Sequence, residues 1–228
     1  MYNDVTYKKS ESNFINKTFM YMGVALLITF ATAFITANSQ TMINIIFGNP
    51  MIPFVLLGAE VLMVFSISRK INKLSREQML GMFLIYSILN GLTFSSIFLI
   101  YSGSSIATVF LIAAAMFLCS AMAGITTKKD LSMVGRIAIM GVVGLIVMSI
   151  AGMFIPGIAS NPLINVIGVI IFCALTAYDM QKVKKIHSSS FHGDPETVNK
   201  LAIMAALSLY LDFINIFLYL LRLFGSRD

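Results

Sequence analysis

Three carboxylic acids stand inside otherwise apolar stretches of this chain: Glu60, Asp179 and Asp212. A charge at the centre of a membrane helix costs about 2.5–3.5 kcal/mol on insertion scales, so such acids turn to other helices or to water and mark proton or ion chemistry. Glu60 is the tenth residue of the apolar run 51–68, and Asp212 is the twelfth of the run 201–221, so both fall near mid-span. Asp179 lies three positions before Lys182, at the end of the run 162–181; an interfacial acid paired with that lysine is its plainer reading. Ser208, Asp212, Asn215 and Tyr219 recur at helical spacing and make one polar stripe, which should face helices or water rather than lipid. Asn90, Thr93, Ser95 and Ser96 add polar groups to the run 79–101.

Cations near these acids offer a latch. Arg69 and Lys70 close the second apolar run at the same membrane face where Asp179 closes the sixth. Arg69 cannot serve Glu60 on its own helix, because nine residues is about half a turn out of phase and about 13 Å of rise. The aspartates are its more natural partners, and snorkelling to lipid phosphates is the plainer alternative. The polar loop 186–197 holds His187, His192, Asp194 and Glu196, residue types that can bind a metal. Cys119 and Cys173 match no zinc spacing and read as inert buried thiols. The 16 methionines read as soft core filling, and the small residues Ser120, Ala121, Ala123, Gly124, Gly141, Gly144, Ser149 and Gly152 as close-packing positions.

The elements that must carry these residues follow from composition. Of 228 residues, 58% are hydrophobic and only 11% charged, and the mean hydropathy is +0.88. Soluble domains carry roughly 25% charged residues, so a soluble enzyme and a disordered chain are both excluded. A bilayer core about 30 Å thick takes about 20 apolar residues as a helix. Seven runs qualify: 19–37, 51–68, 79–101, 106–125, 137–155, 162–181 and 201–221. Unsatisfied backbone is untenable in lipid, so each run is helical. The expected class is an all-α integral membrane protein: a tail at 1–18, one seven-helix domain at 19–221 and a tail at 222–228.

Fourteen of the 16 Lys and Arg residues fall in the N-terminal tail and in the connections after runs two, four and six, whereas connections 38–50, 102–105 and 156–161 carry no charge. The positive-inside rule places the N-terminus in the cytoplasm. Seven crossings then put Arg222 and Arg227 outside, against the rule, unless the last run is re-entrant or enclosed in a bundle. The first run with Ala31-Thr32-Ala33 imitates a signal peptide, but the long polar leader with Asp4 and Glu11 argues against cleavage.

The stretch from Ala206 through Asp212 and Asn215 to Arg222 and Gly225 resembles the last membrane helix of the Bax inhibitor-1 family. Tyr178-Asp179, Asn90-Gly91-Leu92-Thr93 and Glu60 resemble that family's other motifs, in order along the chain. The resemblance implies a bacterial, inner-membrane member with the C-terminal helix central and six helices wrapped around it. It also implies a pH-sensitive calcium leak whose sensor is the Asp179–Asp212 pair, latched by a cation at the inner end of helix two. The family's arginine falls nearest Ile71 here, so the latch passes to Arg69 or Lys70. Two buried carboxyls in contact titrate as a unit, which could bias a helix with two positions.

Calcium prefers oxygen ligands, so Glu60, Asn90, Ser208, Asp212 and Asn215 are ion-path candidates. Asp179, Asp212 and Glu60 would hold calcium weakly and transiently, as a permeant ion rather than a cofactor. The expected surroundings are lipid and calcium, without nucleic acid. The alternative is a non-conducting regulator that modulates a membrane protease or another membrane partner. An intramembrane aspartyl protease also needs two aspartates, but its Gly-x-Gly-Asp half is missing: Leu209, Tyr210 and Leu211 precede Asp212. No enzyme is expected. Straight helices leading out of a 186–197 loop would leave the two carboxyls about 12 Å apart in depth, so the pairing demands longer or staggered helices.

Overall fold

The computed structural model describes residues 4–71, 73–155, 161–191 and 193–226, the side chains of 153 and 154 apart. Among them are nine helices in the order α1 (Asp4–Ala37), α2 (Gln40–Phe47), α3 (Met51–Arg69), α4 (Arg76–Phe94), α5 (Ile97–Ile100), α6 (Gly103–Thr126), α7 (Ser132–Phe154), α8 (Pro162–Ser190) and α9 (Pro195–Phe224). No strand occurs among the described residues, and seven spans are long and apolar enough to cross a membrane, with α4 and α5 sharing one. Two-thirds (67%) of the apolar window of α9 is buried, against 11–39% for the other six. This is the enclosure that a central C-terminal helix requires.

Local chemistry sets the helix ends. The side chains of Ser39 and Ser102 cap α2 and α6, and Ser75 with Gln78 forms a capping box on α4. Asp194 Oδ1 accepts from the backbone N–H groups of Glu196 and Thr197 (2.9 and 3.0 Å), which starts α9 just ahead of Pro195. The Thr197 side chain first, and then these backbone bonds, hold the Asp194 carboxyl below its ordinary range. Ser95 and Ser96 interrupt the third span; their hydroxyls bond back to Leu92 O (2.7 Å) and Thr93 O (3.1 Å), so the helix breaks before α5.

The chain forms two compact units. The first comprises residues 1–100 with 186–207, the second 101–185 with 208–228, so α8 and α9 each contribute to both. In the first, α4 packs between α1 and α3. A Cβ at Gly91 would lie 2.6 Å from Thr32 Cβ and 2.7 Å from Thr29 O, so only glycine allows α1 and α4 this approach. Thr29 Oγ1 lies 3.0 Å from Ser87 O across the same contact, and Phe30, Phe34 and Phe98 stack beside it. In the second unit, Phe213 of α9 meets Phe110 and Phe117 of α6 edge-on, with centroids at 5.2 and 5.6 Å. Tyr219 stacks on Phe172 of α8 at 5.9 Å.

Both helices of the α8–α9 hairpin run further than the apolar runs indicate. The polar stretch after Gln181 stays helical to Ser190, whose Oγ closes the end on Ile186 O at 2.7 Å. Only residues 191–194 separate α8 from α9.

Candidate functional site: a carboxyl pair in the second unit

α8 carries Thr176 and Asp179 one turn apart, and α9 carries Ser208 and Asp212 one turn apart, all within the second unit. The Ser208 side chain lies within reach of the Asp179 carboxyl, and the Thr176 side chain within reach of Asp212. Asp179 therefore stands opposite a residue one turn from Asp212, and the two carboxyls differ in depth by only about 5 Å. That replaces the 12 Å expected from a long loop. The helices supply the difference, because they continue through most of 186–197. Asp179 and Asp212 feel one another electrostatically.

Asp212 is 4% exposed, and its Oδ2 is buried without a hydrogen-bond partner among the described residues. The Thr176 proton is already committed to Phe172 O (2.8 Å), so toward Asp212 that hydroxyl offers a lone pair. Cys173, one turn earlier on α8, meets Ser120 of α6 and also senses Asp212. Lys182 acts on Asp179 from its own helix, as the interfacial reading of Asp179 anticipates. The site is thus two carboxyls in a nest of small hydroxyl and thiol groups.

Close backbone packing fixes the strand of residues that carries Asp179. A Cβ at Gly124 of α6 would collide with the Ala177 backbone, and one at Gly135 of α7 would enter the Tyr178 ring. Two residues after Asp179, Gln181 clamps the connection between α6 and α7: its Oε1 accepts from Leu131 N (2.9 Å) and its Nε2 donates to Lys129 O (2.9 Å). Lys184 Nζ donates to Ile125 O at 3.0 Å. Lys185 pairs with Asp130 at 2.7 Å and, with Ser132, holds that exposed carboxyl below its ordinary range.

The other sequence candidates take other places. Glu60, 8% exposed, accepts from Thr93 Oγ1–H at 2.6 Å in the first unit. Tyr86 lies within electrostatic reach of Glu60, while Asn90 Nδ2 turns back to Tyr86 O at 3.3 Å. Asn215 likewise turns back to its own helix, on Leu211 O at 2.8 Å. Arg69 lies over the Phe65 ring at 5.5 Å, Lys70 caps α3 through its backbone N–H on Ser66 O, and both side chains are exposed. Neither has a carboxylate within 4 Å among the described residues.

The metal reading of the 186–197 loop needs correction as far as it can be followed. His187 is buried, its Nε2 sits 3.0 Å from Ser10 Oγ, and Tyr7, Phe14 and Phe191 surround its ring. Asp194 is occupied in capping α9. His192 lies outside the described residues, as does Arg227. Among the described residues no group of three or more His, Cys, Asp or Glu gathers to hold a metal.

The chain matches the family described as "Inhibitor of apoptosis-promoting Bax1" over residues 11–228. The chain belongs to the Bax inhibitor-1 family. Relatives within reach of this Bax inhibitor-1 protein include an uncharacterised protein of Borreliella burgdorferi, 42% identical over 228 residues and covering 98% of each chain. The inner membrane protein YbhL of Escherichia coli is 39% identical over 214 residues, 94% of this chain and 92% of its own. An uncharacterised protein of Deinococcus radiodurans is 36% identical over 215 residues, 94% of this chain and 91% of its own. This Bax inhibitor-1 protein is a multi-pass membrane protein, and its E. coli relative resides in the inner membrane.

Sequence reasoning passed over Thr176 and Tyr86 and read Cys119 and Cys173 as inert buried thiols, whereas Cys119 is exposed and Cys173 is half-buried beside the carboxyl pair. The signal for Thr176, Cys173 and Tyr86 is periodicity: Cys173, Thr176 and Asp179 repeat every three residues, and Tyr86 precedes Asn90 by four.

Proposed function

We propose that this Bax inhibitor-1 protein is a pH-sensitive calcium leak of the inner membrane, with Asp179 and Asp212 as its proton sensor and a cytoplasmic N-terminus. The observation that carries the reading is the pairing itself: two carboxyls about one helical turn apart in depth, with Asp212 Oδ2 buried and without a hydrogen-bond partner among the described residues. Two such groups cannot ionise independently, so the pair changes its proton count as a unit. Each proton gained or lost changes the charge at the α8–α9 contact. A cation at the inner end of α3, Arg69 or Lys70, answers that change in this reading. Calcium passes as a hard ion on carboxyl, amide and hydroxyl oxygens, held weakly enough to leave. No bond is made or broken, so the activity is transport rather than catalysis. The N-terminal orientation rests on the distribution of Lys and Arg.

The test is calcium entry into dye-loaded liposomes holding the purified protein, stepped from about pH 8 to 6. The wild type should show pH-dependent flux, and Asp179→Asn or Asp212→Asn should flatten the pH response. Flux that ignores both substitutions removes the sensor and keeps the leak. No flux above empty liposomes removes the leak and leaves a regulator of membrane partners, which co-purification from native membrane would identify. Single Arg69→Ala and Lys70→Ala variants decide which cation responds.

A further inference from the structure

A second cluster of charge lies in the first unit, on three elements that close a circuit of contacts. Lys17 of α1 donates to Asn199 Oδ1 of α9 at 2.5 Å. The next residue, Lys200, reaches Leu74 O at 3.3 Å in the connection before α4. Two residues on, Arg76 Nη2 donates to Tyr21 OH at 3.3 Å, and Tyr21 lies one turn from Lys17. These contacts link one cation each from α1, α4 and α9. Each is bonded to a neutral oxygen rather than seated on a buried carboxylate.

The acids beside them sit on the rim. Glu196 touches Lys200 at 3.5 Å with its side chain 58% exposed, whereas the Lys200 side chain is only 14% exposed. Glu77 flanks Arg76 and is exposed. Arg76 Nε is buried with no hydrogen-bond partner among the described residues, so one edge of its guanidinium fork is unspent. A multivalent oxyanion bridging these side chains would be held by charge-assisted hydrogen bonds, which a guanidinium fork gives in planar pairs.

We propose that Lys17, Arg76 and Lys200 form a binding site for a phosphate-bearing anion, with Tyr21 and Asn199 orienting two of the three cations. Clusters of Lys and Arg at the ends of membrane helices suit lipid head groups, and a free phosphate compound carries the same chemistry.

The test follows thermal unfolding of the full chain in detergent at constant ionic strength, with inorganic phosphate in one arm and phosphatidylglycerol micelles, against phosphatidylcholine, in the other. The wild-type midpoint should rise in at least one arm. The phosphatidylglycerol arm alone identifies a head group, and the phosphate arm a soluble anion. Arg76→Gln and Lys17→Gln should each lower the apparent affinity about tenfold, the loss of one charged hydrogen bond. Lys185→Gln, an exposed cation of the second unit, should leave it unchanged. If Arg76→Gln does not fold, Arg76→Lys and Lys200→Gln carry the comparison. The proposal is overturned if neither arm raises the midpoint, if phosphatidylcholine matches phosphatidylglycerol with no response to phosphate, if the rise survives loss of the cluster's cations, or if Lys185→Gln abolishes it equally.

Discussion

Gly124 and Gly144 should respond in opposite directions to the same substitution. A Cβ at Gly124 would sit 2.9 Å from the Ala177 carbonyl carbon and 3.0 Å from its Cα, and nearer still to its oxygen. Carbon atoms settle at about 3.5–4.0 Å from one another, and the carbonyl oxygen is the closest obstacle, so Gly124→Ala requires α8 to back away by about 1 Å at residue 177. The obstacle is backbone, which has no rotamer to yield. Overpacking of this kind costs about 1–3 kcal/mol, while alanine in place of glycine in a helix interior restores only about 1 kcal/mol. Gly124→Ala should therefore be neutral to destabilising by about 2 kcal/mol. A Cβ at Gly144 meets nothing within 4 Å, so Gly144→Ala should keep the full helix gain of up to about 1 kcal/mol. Equilibrium unfolding in mixed micelles reads both signs. Thr176 and Asp179 flank Ala177, so Gly124→Ala should also shift the pH response of calcium flux while Gly144→Ala leaves it alone. If Gly124→Ala stabilises as much as Gly144→Ala, the tight α6–α8 contact and the positioning argument built on it are wrong.

Thr93→Val should cost about 1–3 kcal/mol by stripping the buried Glu60 oxygen of its donor. In the same unfolding assay, Glu60→Gln, whose amide oxygen still accepts, should cost less. Gln181→Ala removes two hydrogen bonds from the α6–α7 connection and should destabilise by about 1–2 kcal/mol, with faster amide exchange in 127–131 as the local readout. Asp130, held low first by Lys185 and then by Ser132, contributes stability that is present above its unfolded value, about 3.9, and is lost as pH falls through the folded value. Unfolding midpoints of wild type and Asp130→Asn should thus run parallel between pH 8 and 6 and converge only at lower pH. Convergence already in the neutral range would make Asp130 a competing sensor.

The sequence disclosed the seven spans because a bilayer imposes a minimum apolar length, and Glu60, Asp179 and Asp212 because buried charge is rare and costly. It disclosed the helix ends less well. Hydropathy marks where lipid stops, not where a helix stops, so the polar helical turns from Lys182 to Ser190 and from Pro195 to Lys200 were hidden. The depth mismatch of the aspartates followed from that omission. The short α2 in the 38–50 connection carried a local cue in Ser39 ahead of Ile43 and Ile46. The Ser95-Ser96 break had the same kind of cue, though hydroxyls inside an apolar run read equally as packing groups. Thr176 and Cys173 escaped because a small polar residue in a span gains meaning only from what faces it across the helix contact.

The clamp made by Gln181 also orders events during synthesis. Its two partners, Leu131 and Lys129, precede it by 50 and 52 residues, and Lys184 follows Ile125 by 59. At about 5–20 residues per second, the α6–α7 connection waits about 3–10 s on the ribosome before the residue that fastens it exists. By the later part of that interval α6 and α7 have both been made and are long enough to enter the bilayer, while Gly124 and Gly135 still lack the Ala177 backbone and Tyr178 ring they are shaped to receive. The sixth span thus brings Asp179 to its place at the moment that the loop is locked, and the part of α9 that carries Asp212 completes the unit afterwards.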